Sequence, residues 1–92
     1  MRLTKSTQEK LQDLLKTQEY TIRYERGNFK GGYCIVMDQK TIVINKFHPL
    51  ESKITTLMEI IRELEIGEEE LSPAQVKLLR QVKEAEPESP QT

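Results

Sequence analysis

The chain has 92 residues, enough for one domain with a small core, and its fourteen basic and fifteen acidic residues leave a net charge of −1. That balance points neither to nucleic acid nor to a membrane surface, and a single cysteine excludes an internal disulfide. No apolar run approaches the ~20 residues that span a bilayer, no lipidation motif is present, and the first residues are polar where a secretory signal would be apolar, so a soluble, cytoplasmic protein is expected.

The charge is unevenly placed. Residues 1–46 hold nine Lys and Arg against five Asp and Glu, whereas residues 47–92 hold five against ten. Oppositely charged halves suggest complementarity within the fold.

In chain order, Ser6-Thr7-Gln8-Glu9 fits a capping box, with Thr4 as the alternative cap. Leu11, Leu14 and Leu15, extended by Leu3 or Thr7, predict a first helix ending near Gln18 or Glu19. Tyr20, Ile22 and Tyr24 then alternate with Thr21, Arg23 and Glu25, the pattern of a half-exposed strand at an edge. A glycine-rich stretch, Gly27-Asn28-Phe29-Lys30-Gly31-Gly32, has the length that joins antiparallel neighbours, so the first strand is expected to pair with the second.

The second and third strands are Tyr33-Cys34-Ile35-Val36-Met37 and Thr41-Ile42-Val43-Ile44-Asn45, β-branched runs separated by Asp38-Gln39-Lys40 as in a tight hairpin. Pro49 suits a first helical turn, where its missing N–H would be unpaired anyway, and His48 before it suits the cap. Leu50, Ile54, Leu57, Met58, Ile61 and Leu64 then form one stripe that must lie on the sheet, and Gly67 is the expected left-handed stop. Ser72-Pro73-Ala74-Gln75 opens a third helix with a second capping box. Leu71 and Val76 stand at staple positions, and Val76, Leu78, Leu79 and Val82 supply a face to dock. Residues 84–92 lack apolar groups able to offset the entropy of ordering them, which predicts a disordered tail behind a single domain of residues 1–83.

No residue set amounts to a catalytic or cofactor signature. Gly27, Gly31 and Gly32 lead from strand to strand, whereas phosphate-binding loops lead into a helix, so a turn is the better reading. Arg23, Arg26 and Lys30 around that turn offer a small basic patch for weak nucleic-acid binding, without the aromatic ladder that single strands require. Cys34 has no histidine or second cysteine near it in sequence and reads as an inert thiol. His48 is the only histidine, too few for zinc, and Glu68, Glu69 and Glu70 read as a solvated turn in preference to a cation site; no metal or cofactor is expected.

Three segments, Gly32-Tyr33-Cys34-Ile35-Val36, Lys40-Thr41-Ile42-Val43-Ile44-Asn45 and Ser52-Lys53-Ile54-Thr55-Thr56-Leu57, together resemble the start of small zincin-type metallopeptidase domains of the ImmA/IrrE kind. In that family a strand pair leads to the helix carrying H-E-x-x-H, which the resemblance places on Met58-Glu59-Ile60-Ile61-Arg62. Only Glu59 matches, at the family's general-base position, and Met58 and Arg62 stand where histidines would hold zinc. A thioether and a guanidinium cannot supply the lone-pair donors zinc needs, so the resemblance implies a degenerate domain whose catalysis is lost.

These readings converge on an α+β fold: a helix, a three-stranded antiparallel meander, then two helices packed on the sheet. The favoured function is a non-catalytic interaction or regulatory module, with an unknown protein partner or a weak homodimer. The alternatives are an enzyme or thiol-dependent factor using Cys34, Glu59 or His48, and nucleic-acid binding through Arg23, Arg26 and Lys30. In a meander the third strand is an edge without internal charges, so Thr41, Val43 and Asn45 are the expected interaction edge.

Overall fold

A computed structural model describes residues 2–26 and 33–84 and has an α+β architecture. Helix α1 (Lys5–Lys16) is followed by strands β1 (Thr21–Glu25), β2 (Tyr33–Val36) and β3 (Thr41–Asn45), then by helices α2 (Leu50–Glu63) and α3 (Pro73–Glu84). The glycine-rich stretch, Lys30 and the predicted tail from residue 85 lie outside the described residues, and α3 runs one residue past the expected domain end. Among the described residues no helix is long and apolar enough to cross a membrane.

The sheet is mixed, with strand order β1-β3-β2, and the expected meander is corrected by it. β1 runs parallel to β3, pairing Thr21 with Thr41 and Glu25 with Asn45, while β2 runs antiparallel to β3, pairing Tyr33 with Ile44 and Val36 with Thr41. The centre goes to β3, which like β2 has no charged residue, and the charged β1 takes an edge, where Arg23 and Glu25 stay in water. The β2–β3 hairpin forms, but Met37, expected in the strand, belongs to a 3-10 turn at Met37–Gln39 that leads into Lys40, whose left-handed backbone (φ 49°) reverses the chain.

Alternation along the strands divides the sheet into two faces. Ile42 and Ile44 are fully buried on one, beside Ile22, Tyr24, Tyr33 and Ile35. α1 lies along β1 and α2 along β3 to cover this face, and α3 is held against both helices. Leu11, Leu14 and Leu15 of α1, Ile54, Leu57, Ile60 and Ile61 of α2, and Leu79 and Val82 of α3 complete the core. The α2 face is broader than its predicted stripe because this helix touches both a strand and two helices, which buries Ile60 as well.

Helix ends follow their hydrogen bonds. Thr4, in extended conformation, caps α1 by accepting from the Thr7 N–H at 3.3 Å, which leaves Ser6 inside the helix. The first helix stops at Lys16, short of the expected Gln18, and Glu19 turns the chain with φ 69°. Ser72 and Gln75 form the expected reciprocal box, at 3.0 and 3.2 Å. Pro49, not His48, occupies the cap of α2, and the helix ends at Glu63 with Leu64 as its extended cap.

Gly67 is accordingly not a left-handed stop, its φ being −76°. It serves a different contact. The Gln18 side chain donates to the Gly67 carbonyl at 3.2 Å and accepts from the Gly67 N–H at 3.1 Å, tying the end of α1 to the α2–α3 connection. Lys40 reinforces the junction by donating to the Gln18 carbonyl at 2.7 Å while lying over the Tyr20 ring.

Candidate functional site

The second face of the sheet carries no described element. Register places Thr21, Thr41 and Val36 in one row across it, Arg23, Val43 and Cys34 in the next, and Glu25 beside Asn45. Thr21, Arg23 and Cys34 are exposed, and the others are half-buried. Arg23 Nε bonds Glu25 Oε2 at 2.7 Å, an exposed pair along one strand that contributes little stability.

Thr41, Val43 and Asn45 therefore do share a surface, but it is not an edge. β3 is paired on both sides, so its backbone cannot accept a further strand, and the expected interaction edge is corrected to the middle strip of an uncovered face. Within that strip Asn45 has a structural task, its Oδ1 accepting from the Phe47 N–H at 3.0 Å to close the turn after β3. Thr41 Oγ1 donates to the Gln39 carbonyl at 3.1 Å. Val43 and Cys34 are left as the apolar centre.

At the end of the parallel pair, where β1 and β3 finish side by side, Lys46 N–H donates to the Glu25 carbonyl at 3.0 Å. That bond brings Arg26 and Lys46 together around the ring of Phe47, the two cations 5.6 and 5.4 Å from its centroid. Phe47 is 63% exposed, its ring faced by these two cations. At the opposite end of the same strands, Glu19 and Glu70 line a small hollow with Thr17, Gln18 and Lys40.

Two shallow clefts lie on the helical side. One, of about 490 Å³, is lined by Leu3, His48, Glu51, Ser52, Thr55, Thr56 and Glu59. It brings together two of the three residues considered for catalysis, while Cys34 lies on the uncovered sheet face and does not join them. The other cleft, of about 480 Å³, includes Lys5, Glu9, Leu50 and Lys53 around a buried polar network. There the Gln8 amide, only 8% exposed, donates to the Tyr24 hydroxyl at 3.0 Å, and that hydroxyl donates to Gln12 Oε1. Burial pushes the Tyr24 hydroxyl above its ordinary value, against the opposing effect of the Gln8 bond.

On α2, Met58 packs against the core and Arg62 Nε donates to the Val82 carbonyl of α3 at 3.2 Å. Among the described residues no three of His, Cys, Asp and Glu are placed to hold a metal ion. Of the basic patch, Arg23 is paired with Glu25 and Lys30 is outside the described residues, so only Arg26 meets the features found at the strand ends.

Phe47 was visible in the sequence as an aromatic residue that neither the β3 alternation nor the α2 stripe absorbs, set between Lys46 and His48. Gln8 had no such signal, because its burial depends on Tyr24 sixteen positions later. No protein-family model, curated protein or solved structure matches this chain.

Proposed function

We propose that this chain is a non-catalytic binding module that holds a partner protein against the uncovered face of its sheet. One observation carries the reading: Val43 and Cys34 stand at the centre of a sheet face that no described element covers, with Phe47 exposed at its end. Enzymatic use is less well supported, since Cys34 sits on a different face from His48 and Glu59.

Size favours a partner that reaches beyond the flat face. Three strands at ~4.8 Å spacing and five residues at ~3.3 Å give a patch of roughly 240 Å². Stable interfaces bury about 800 Å² per partner, so two copies stacked face to face would be weak, and a partner that also engages the rim is the better fit. The resemblance to ImmA/IrrE-type domains agrees with a non-catalytic role. At the positions where that family's helix holds zinc, Met58 faces the core and Arg62 braces α3, which supports a structural use of α2.

Capture from host extract tests the reading with three baits. The parent chain and Thr55→Lys, which fills the His48–Glu59 cleft, should retain the same partner, and a folded Val43→Lys should lose it. Retention by Val43→Lys with loss by Thr55→Lys would move the function to the cleft.

A further inference from the structure

We propose that the corner formed by Arg26, Phe47 and Lys46 recognises an acidic, extended polypeptide segment of the partner; the inference rests on the binding-module reading and specifies its chemistry. Three observations converge. Arg26 and Lys46 extend from the ends of two adjacent parallel strands, locked side by side by the Lys46–Glu25 backbone bond. Among the described residues neither has a carboxylate partner, and both lie over one aromatic ring. That ring is the most exposed large apolar side chain among the described residues, ahead of Met37 at 60%.

Two like charges held beside one ring repel each other, and the ring's quadrupole offsets only part of this. A carboxylate approaching the corner is attracted by both, gains charge-assisted hydrogen bonds, and shields the exposed ring. Here the arginine supplies a planar fork and the lysine a mobile point charge, so a flexible run of Asp or Glu side chains is better matched than one rigid group. The corner stands just beyond the ends of β1 and β3, where a partner that reaches past the sheet face to its rim would meet it. Nucleic acid fits less well: it needs a series of stacking rings and a cationic track, and this face offers one ring, a carboxylate at Glu25 and a chain of net charge −1.

The test uses the isotope-labelled full chain titrated with poly-L-glutamate, poly-L-lysine and a single-stranded oligo-dT, followed by amide chemical shifts. Poly-L-glutamate should shift Arg26 and residues 45–48 while leaving Lys10 and Lys16 of α1 unmoved, and the affinity should fall several-fold as salt is raised. The double variant Arg26→Glu, Lys46→Glu should weaken it at least tenfold, with Phe47→Ala intermediate; all three positions are exposed, and a thermal melt verifies that each variant is folded. No shift at the corner, undiminished binding by the charge-reversed variant, or tighter binding of oligo-dT than of poly-L-glutamate would overturn the proposal. Shifts at the corner and at Glu68–Glu70 that grow with the protein's own concentration would make a second copy the occupant, which also overturns it. Failure here combined with loss of the captured partner by Val43→Lys would leave the docking face standing and remove only its acidic specificity. The reverse pattern would leave the acidic site and remove the docking face.

Discussion

Alternation along β3 has opposite consequences for two adjacent residues, and alanine substitution separates them. Ile42 is fully buried between the sheet and the helical layer, whereas Val43 faces the uncovered side. Replacing Ile42 by alanine removes three carbons, about 2.4 kcal/mol of transfer free energy at ~0.8 per methylene. A partly collapsed cavity adds to this and places Ile42→Ala within about 2 to 5 kcal/mol. Val43→Ala removes two carbons that are only half-buried, so about half of ~1.6 kcal/mol is at stake. For a domain of this size each kcal/mol lowers Tm by about 4–8 °C, so Ile42→Ala should melt at least ~8 °C below the parent and Val43→Ala within roughly 6 °C of it. Calorimetric melts of both variants decide the matter. Equal losses, or a larger loss for Val43→Ala, would mean that both faces are covered, and the docking surface would not exist.

Other perturbations test neighbouring parts of the account. Leu57→Ala or Ile61→Ala should each cost about 2 to 5 kcal/mol in denaturant titration, both residues being fully buried on α2; two near-neutral results would refute its docking. Gln18→Ala removes both bonds to Gly67, at ~0.5–1.5 kcal/mol each, for a loss of about 1 to 3 kcal/mol. Gly67→Ala should cost less than about 1 kcal/mol, since the added methyl meets the far end of the flexible Glu69 side chain at 2.9 Å and Gln18 Oε1 at an ordinary 3.7 Å; a larger cost would mean that the junction is rigid. The Tyr33 hydroxyl donates to Glu63 Oε2 at 2.5 Å, and this bond to a carboxylate pushes its pKa from 10.0 up to about 12. A raised folded-state value stabilises the protonated form, so this contribution is complete below pH 10 and is lost as pH rises toward 12. Ultraviolet titration should show one tyrosine ionising near 12 that disappears in Tyr33→Phe and moves down in Glu63→Gln.

Much of the fold was legible because local physics decides it. The α1 leucines, the α2 stripe, the Ser72–Gln75 box and the β2–β3 hairpin all rest on contacts within a few residues, and all are present. Strand order was not legible in that way. Adjacent strands usually pair, and the rule placed β3 at an edge. Charge placed β1, with Arg23 and Glu25, at an edge in either order, but it does not separate β2 from β3, since neither Tyr33–Val36 nor Thr41–Asn45 carries a charge. Choosing Ser6 over Thr4 as the cap and Gly67 as the helix stop were errors of a similar kind. Each residue type suited the role, but Thr4 had the extended backbone a cap needs, and Gly67 lies in an ordinary backbone conformation beyond the helix end, where the Gln18 side chain grips its backbone. As for the candidate site, its strip of Thr41, Val43 and Asn45 could be named from alternation alone. The corner of Arg26, Phe47 and Lys46 could not, because it exists only once β1 and β3 run parallel and end together.

Chemical-shift mapping of the labelled chain in complex with its captured partner tests the binding-module reading most directly. The account predicts that the methyl groups of Val36 and Val43 and the amides of Arg23, Cys34 and Thr41 move together with Phe47, while the exposed positions of α1 and α3 stay in place. Shifts confined to the cleft of His48, Ser52, Thr55 and Glu59, with the sheet face unmoved, would contradict it.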